Sequence, residues 1–291
     1  MILKPPRWNV SPWLIAPEAR GLWKGVAFVA PLWGGAGKGA LLGPHGGPLA
    51  GADLAAGSAL QWRGTPFGLG VGITGNTDLL KQSNFAPLVT SDGVGGGDFT
   101  VICLANPVAE AVMSAGVNVE DSAAGTTRMH LGFNCDASNG AVSSQFAFVT
   151  RQSSSSTSAL VAGGIDGKYH LFGGVRQGTK HYAYIDGIIR ATVTGTVRDF
   201  IANVPGLGFG CRAETVGFRI NTATNIVLEA GWNRALSDAE MRLLARDPFI
   251  MFRMAQVSPS LWAAAGPPPP PPPAGLYAGL ALNPARLLSR G

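Results

Sequence analysis

Apolar and polar residues alternate most clearly over residues 144–150, where Phe146 and Phe148 are separated by small or polar side chains. A period of two predicts a β-strand with one buried face. The serine run 153–156 then predicts a loop, and the apolar run 160–165 predicts another strand. The second half of the chain is therefore expected to consist of short strands joined by turns.

Two Asp-Gly dipeptides, at 166–167 and 186–187, interrupt the apolar runs that follow. Asp-Gly between apolar runs predicts a two-residue hairpin, because both central residues of a type I′ turn need positive φ. Two such turns about twenty residues apart predict an antiparallel meander. Tyr182 or Tyr184 is expected to pack into the interior beside the second turn.

Three more apolar runs, 98–105, 216–220 and 226–232, predict further strands, the first of them fully buried. One helix is predicted after them. Ser237 and Glu240 have the spacing of a capping box, and Pro248 ends the segment. So short a helix needs tertiary packing, so its apolar face is expected to lie on the sheet. The residues that stand on this face are Met241 and Leu244.

Composition adds little chemistry to this all-β pattern. Gly makes up 41 of the 291 residues, which suits many tight turns, and only 13% of residues are charged. The formal net charge of +5 reflects scarce acids rather than clustered bases. Because no basic stripe is interleaved with aromatic residues, we expect no nucleic-acid partner.

The cysteines and the N-terminal residues bear on where the protein is made. Cys103, Cys135 and Cys211 are widely spaced in apolar stretches, so each is expected to be a free, buried thiol suited to a reducing cytosol. Prolines interrupt residues 1–20, which predicts no signal peptide, and no stretch of eighteen apolar residues predicts a membrane span.

Motifs associated with catalysis or nucleotides are weak in this sequence. The glycine spacing over 70–75 matches a dinucleotide fingerprint, but no helix follows it. The phosphate-loop-like run 34–38 is followed by glycine where Ser or Thr should meet magnesium. No pair of acids has the spacing of a glycosidase, and no nucleophile elbow occurs. We therefore predict that the protein is not an enzyme.

Metal binding is also weakly indicated. His170 and His181 could face each other across adjacent strands, but without a carboxylate partner they are expected to be ordinary strand residues. Calcium would require Asp92, Asp98 and Asp136, which stand in turns where such side chains usually bond their own backbone. We predict no cofactor, with calcium as the less favoured alternative.

Composition divides the chain into five parts. Residues 1–20 predict an N-terminal arm, 21–253 the sandwich, 254–266 a linker, 267–273 a polyproline spacer, and 274–291 a C-terminal docking peptide. The last part is too apolar for an ordinary disordered tail, so it is expected to bind a partner. The partner-binding candidates are Trp262, Leu276, Tyr277, Leu280, Leu282 and Leu287.

The run 167–192, with Tyr184-Ile-Asp-Gly187 as its most diagnostic piece, resembles the central hairpin of laminin G-like, concanavalin A-like jelly rolls. Residues 98–102 look like the family's early strand. Residues 232–240, with Asp247-Pro-Phe249 after them, look like the closing strand and helix of its bacterial and phage members. The resemblance covers about residues 90–253 and implies an all-β, antiparallel two-sheet jelly-roll sandwich with one short C-terminal helix and extended termini. It assigns no catalytic or sugar-binding residue, because no acidic cluster stands at the expected rim.

Relatives of this kind are often tailed-phage structural proteins, which implies a virion subunit: a decoration, fibre or tail-tip component made in the host cytoplasm. Its partners would be other virion subunits, including copies of itself, and a cell-surface carbohydrate. The alternative is a stand-alone carbohydrate-binding module or a catalytically inactive glycosidase relative. An exposed aromatic platform, formed for example by Trp62 or Trp33, would favour this alternative.

Overall fold

The structure is a computed structural model that describes residues 17–32, 55–56, 60–73, 80–82, 97–110, 114–121, 128–135, 141–152, 155–195, 205–210 and 224–252. The chain divides into two compact units, Met1–Ala255 and Gln256–Gly291, and every described residue belongs to the first. No helix among these residues is long and apolar enough to cross a membrane.

Strands dominate the described residues. Two α-helices accompany them, α1 (Pro17–Arg20) and α2 (Asp238–Arg246), together with 3-10 turns at Gly21–Trp23 and Ile250–Phe252. The strands are β1 (Val26–Pro31), β2 (Ala55–Ala56), β3 (Leu60–Thr65), β4 (Gly68–Ile73), β5 (Leu80–Gln82), β6 (Phe99–Ala105), β7 (Ser114–Asp121), β8 (Arg128–Cys135), β9 (Ala141–Gln152), β10 (Ser155–Ala162), β11 (His170–Gln177), β12 (Lys180–Ile185), β13 (Ile188–Thr194), β14 (Pro205–Phe209) and β15 (Ile226–Trp232).

Within the described residues these strands form two antiparallel sheets. The helix-side sheet has the order β13-β12-β11-β6-β15-β4-β3, and β1 also pairs with β15. The opposite sheet has the order β10-β9-β8-β7-β14-β5-β2. Strands adjacent in sequence are repeatedly exchanged between the sheets, which is how a jelly roll avoids long open edges. The predicted all-β, two-sheet jelly-roll sandwich with a short helix is confirmed.

Apolar side chains from both sheets fill the space between them. Phe99, Phe133, Phe146, Phe148 and Phe172 are all fully or almost fully buried there. Phe133 and Phe172 pack edge to face with ring centroids 4.8 Å apart, the geometry that aromatic pairs prefer. The alternation around Phe146 and Phe148 is thus the inward face of β9.

A second buried layer lies on the outer face of the helix-side sheet, where α2 packs. Met241 and Leu244 of α2 are fully buried there, as predicted. The capping box is present: the Ser237 side chain accepts from the Glu240 amide, and Glu240 accepts from the Ser237 amide. Residues 17–20, placed in the N-terminal arm from sequence, form α1, whose Ala19 is buried in this layer.

The second Asp-Gly prediction is confirmed and the first is wrong. Asp186 and Gly187 have φ of 52° and 72° and join β12 to β13 as a tight hairpin, beside the buried Tyr184. Asp166-Gly167 does not join a hairpin, because β10 and β11 belong to different sheets. Asp166 instead bonds the backbone amide of Lys168 as a local side-chain turn.

Other predicted elements have mixed outcomes. The strands at 98–105 and 226–232 correspond to β6 and β15, both fully buried. The loop predicted at 153–156 is shorter than expected, because β10 already begins at Ser155 and pairs with β9. Cys103 and Cys135 are free and buried, as predicted. The predicted strand 216–220 and Cys211 lie outside the described residues.

Candidate functional site

One end of the sandwich carries a polar cavity of about 310 Å³, which we call the rim pocket. It lies where the loop between β10 and β11 meets the hairpin turn between β12 and β13. Its charged lining is Asp166, His170, Asp186 and Arg190. Its volume is at the small end of the range in which proteins hold small ligands.

His170 joins the two acids of this pocket. Its Nδ1 lies 2.6 Å from Oδ2 of Asp186, and its Nε2 lies 3.1 Å from Oδ1 of Asp166. Carboxylate oxygens only accept hydrogen bonds, so both contacts are made together when both ring nitrogens carry protons. The imidazole ring therefore fixes the orientation of both carboxylates.

Backbone amides also donate hydrogen bonds to the same two carboxylates. The Leu171 amide donates to Asp186 Oδ1 at 3.0 Å, and the Lys168 amide donates to Asp166 Oδ1 at 2.9 Å. The bond from Lys168, with the contact to His170 acting in the same direction, lowers the pKa of Asp166. The two side chains stay 45% and 46% exposed, so their free lone pairs face solvent.

The backbone around the rim pocket is strained. Among the described residues, the non-glycine residues with positive φ are Asn134, Ser144 and Asp186, and all three lie at this end of the sandwich. Asn134 Oδ1 accepts from the Ser144 amide, and the Ser144 carbonyl accepts from Gly163, which borders the pocket. Clustered backbone strain of this kind is typical of functional sites.

Arg190 reaches the pocket through a β-bulge. Ala183 pairs with Ala191 while Tyr184 pairs with Ile189, so Arg190 is the extra residue of β13. A bulge redirects a side chain that would otherwise follow the alternation of the strand. β13 is the last strand of the helix-side sheet, and the bulge places an exposed cationic side chain in the lining of the rim pocket at that edge.

These groups form a pocket that is rich in fixed hydrogen-bonding atoms. The two carboxylates stand beside two cationic side chains, Arg190 in the lining and Lys168, whose Nζ lies 3.6 Å from Asp166 Oδ2. The carboxylates can accept bonds from pairs of hydroxyl groups, and the Arg190 guanidinium can donate several. The arrangement suits a small polyhydroxylated ligand.

The prediction that both histidines are ordinary strand residues fits His181 and is wrong for His170. The two do not face each other, because His181 pairs with Arg176 at the other end of β11 and β12. His170 has two carboxylate partners, which no local spacing indicated. His181 is buried, with Nε2 2.9 Å from the Thr150 hydroxyl, and burial, followed by the charge of Arg176, lowers its pKa to about 4.

Of the three calcium candidates, the structure describes Asp98. Its Oδ1 accepts a bond of 2.7 Å from the amide of Gly178, which is 80 positions away in the β11–β12 turn, and this is not the bond to its own local backbone that was expected. Asp92 and Asp136 lie outside the described residues. Among the residues that are described, no three His, Cys, Asp or Glu side chains are placed to hold a metal ion.

An exposed aromatic surface lies on the β3–β4 hairpin. Trp62 is 37% exposed and Phe67 is 39% exposed. The Phe67 ring packs on Tyr169 and Phe249, with centroids 5.3 and 5.6 Å away. Trp33, the other tryptophan considered from sequence, lies outside the described residues. The exposure of Trp62 is the observation that would favour a carbohydrate-binding module over a virion subunit.

The partner-binding residues predicted in the C-terminal part all lie outside the described residues, so their docking role stays a prediction. They are Trp262, Leu276, Tyr277, Leu280, Leu282 and Leu287.

The sequence matches no protein-family profile and no curated protein. Solved structures do match. They include the binding domain of botulinum neurotoxin DC in complex with SialylT, with a TM-score of 0.53 and 10% identity over 77% of this chain and 51% of that one. A botulinum neurotoxin type C structure, whose cell entry is described as dependent on two ganglioside molecules, has a TM-score of 0.54 and 12% identity over 78% and 52%.

The receptor-binding domain of botulinum neurotoxin D matches with a TM-score of 0.51 and 9% identity, over 78% of this chain and 54% of that one. The chain thus spans about half the length of each of these structures. At identities this low, the structural matches show a shared architecture. The likeness supports a jelly-roll fold. The phage assignment rests on the sequence resemblance alone.

Proposed function

We propose that this protein is a carbohydrate-binding module and that the rim pocket is its glycan site. The observation that carries the proposal is the pair of half-exposed carboxylates, Asp166 and Asp186, held by His170 beside Arg190 in a cavity of about 310 Å³. Sugar hydroxyls both donate and accept, so they match fixed carboxylates and a guanidinium in one pocket.

Two further observations support the proposal. The matched structures include one toxin domain in complex with SialylT and one from a toxin whose cell entry depends on gangliosides, although shared fold does not by itself fix function. The exposed aromatic surface at Trp62 and Phe67 is also typical of proteins that contact sugar rings. The proposed role is binding without catalysis, and the absence of catalysis stays a prediction from the sequence.

Incorporation into a virion is a separate property, because a jelly roll can bind a glycan either free or as part of a particle. The virion subunit of a tailed phage, assembled with copies of itself, therefore stays a prediction from the sequence resemblance. Mass spectrometry of purified particles checks it: the protein should be present at stoichiometric copy number.

The glycan proposal predicts a specific loss of binding in rim variants. The full chain is first applied to an array of neutral and sialylated oligosaccharides, and the best ligand is then titrated by calorimetry. Arg190→Ala and Asp166→Asn should each weaken binding about ten-fold, since each removes charge-assisted bonds worth about 1.4 kcal/mol or more.

The matched control is Lys180→Ala, which removes an exposed cation at the far end of the same pair of strands. It should bind like the wild type. Thermal unfolding of each variant shows whether the sandwich is intact. Absence of binding to every glycan on the array, or wild-type affinity in both rim variants, would refute the proposal.

A further inference from the structure

A second cavity, of about 420 Å³, lies on the outer face of the helix-side sheet, between β11–β13 and the start of α2. We call it the outer groove. It is separate from the rim pocket, because Tyr184 and Ile189 border the outer groove while their neighbours Ile185 and Arg190 border the rim pocket. The outer groove is lined by Gln177, Tyr182, Tyr184, Ile189, Leu236 and Asp238, among others.

The two tyrosines of the groove differ in what they contact. Tyr184 is 2% exposed, and its hydroxyl donates to Oδ1 of Asp238 at 2.6 Å. Burial, followed by this bond and the Asp238 charge, raises the pKa of Tyr184 well above its usual value. Tyr184 thus fixes the position of Asp238. Tyr182 is half-buried, and its ring is tilted by 51° from that of Tyr184 at 6.5 Å.

The groove therefore presents an aromatic ring beside fixed polar atoms. Leu236 is buried at its base, and Ile189 is 37% exposed on the other side of the tyrosines. Gln177 and Asp238 are exposed and supply an amide and a carboxylate. Placed polar groups beside aromatic side chains are what fixes the orientation of a ligand in a small-molecule site.

Charge narrows the class of ligand. The described residues that line the groove include Asp238 and Glu240 and no Lys or Arg. Arg234 is not among them, although its guanidinium bonds both oxygens of Glu240, at 2.6 and 3.0 Å. Because Arg234 neutralises Glu240, a carboxylate- or sulfate-bearing sugar would find no cation in the lining to bind, whereas a neutral sugar can bond the Asp238 carboxylate and the Gln177 amide.

We propose that the outer groove is a second binding site, which takes a neutral hexopyranose. The apolar face of the sugar ring lies on Tyr182, and its hydroxyl groups bond Gln177 and Asp238. A site with this chemistry works independently of the rim pocket, so the protein binds two sugars at once on opposite faces of β12 and β13.

The test uses the full-length protein with lactose and cellobiose as probes, followed by saturation-transfer NMR and calorimetric titration. Tyr182→Ala should weaken binding of the neutral disaccharide at least about ten-fold, because it removes the stacking surface. Tyr182→Phe keeps the ring and should stay within about two-fold of the wild type. Tyr182→Ala should cause the same loss in an Arg190→Ala background, because the outer groove and the rim pocket share no lining residue.

The outcomes separate the two sites. Loss of neutral-sugar binding in Tyr182→Ala but not in Tyr182→Phe, with the same loss in the Arg190→Ala background, supports the outer groove, whatever the rim variants do to the array ligand. Failure of both disaccharides to bind, or equal binding by Tyr182→Ala and the wild type, overturns it. Thermal unfolding of Tyr182→Ala excludes general loss of structure as the cause. If that variant does not fold, Gln177→Ala, which removes an exposed amide of the groove, should weaken binding, and wild-type affinity in it overturns the proposal.

Discussion

Replacement of Gly187 by valine is expected to destabilise the domain by about 3 kcal/mol or more. Gly187 has a φ of 72°, which a β-branched residue resists. A Cβ atom at this position would also stand 2.7 Å from the Cα of Arg242 and 2.9 Å from the carbonyl oxygen of Met241. Both are backbone atoms of α2, so the valine can be accommodated only if the hairpin and the helix move apart.

Gly178 provides the matched control, because it stands in the neighbouring β11–β12 turn with a φ of 55° and nothing within 4 Å of a new Cβ. Gly178→Val should cost only about 1–2 kcal/mol, the penalty for the left-handed backbone. Chemical denaturation of the two variants and the wild type measures both effects. Equal losses at the two positions would show that Gly187 does not pack against α2.

The two Asp-Gly dipeptides show how far local chemistry predicts the fold. Both have the residues of a tight hairpin, yet only Asp186-Gly187 forms one. Asp166-Gly167 lies where the chain crosses from one sheet to the other, and there the Asp side chain bonds the Lys168 amide instead. The dipeptide fixes a turn in both cases, but the partner of each flanking strand depends on contacts far away in sequence.

The strands and helix were predictable because their signals are local. β6 and β15 are buried on both faces and read as continuous apolar runs. The capping box of α2 is contained in four residues. The sheet order is different: β6 lies between β11 and β15, which follow it by more than sixty and more than a hundred positions. No periodicity encodes such a neighbour.

The candidate sites were missed for the same reason. His170 was expected to lack a carboxylate partner, because the sequence does not show that the β10–β11 loop and the β12–β13 turn meet around it. The bulge that places Arg190 in the lining of the rim pocket appears only in the register of β12 against β13. Tyr182 or Tyr184 was expected to pack inside, and Tyr184 does, but the position of α2, which the sequence does not show, leaves a groove beside both tyrosines.

Glu229 is the one described glutamate that is fully buried. It lies on β15 with Oε1 3.6 Å from the Cys103 thiol, and its Oε2 has no hydrogen-bond partner. Burial raises the pKa of Glu229 well above its usual value, and burial likewise raises the pKa of Cys103. Removal of a charged carboxylate from water is costly, so the folded protein holds Glu229 as the neutral acid.

We expect this carboxyl to make the protein less stable as the pH rises. The unfolded chain releases the Glu229 proton near pH 4.3, whereas the folded chain retains it to a much higher pH. Above pH 4.3 the unfolded state therefore binds fewer protons, and the free energy of unfolding falls by up to about 1.4 kcal/mol per pH unit. The loss continues until the pH passes the raised pKa of the folded state.

His181 titrates with the opposite sign. Its pKa falls from 6.5 to about 4 on folding, so its contribution to stability is present above pH 6.5 and is lost as the pH falls toward 4. Between those values the two groups oppose each other in the wild-type curve. Above pH 6.5 the histidine is neutral in both states, and the effect of Glu229 stands alone.

Glu229→Gln isolates the carboxyl, because glutamine has the shape of the neutral acid and does not titrate. The variant and the wild type should be about equally stable at pH 4, and the variant should gain by up to about 1.4 kcal/mol per pH unit above that until the pH passes the raised pKa of Glu229 in the folded state. The slope of His181 is common to both proteins and cancels in the difference. Urea unfolding of both proteins at half-unit steps from pH 4 to 8 measures this difference in the free energy of unfolding. Glu18→Gln is the control for loss of one exposed charge. A difference that stays constant across this range would show that Glu229 ionises in the folded sandwich.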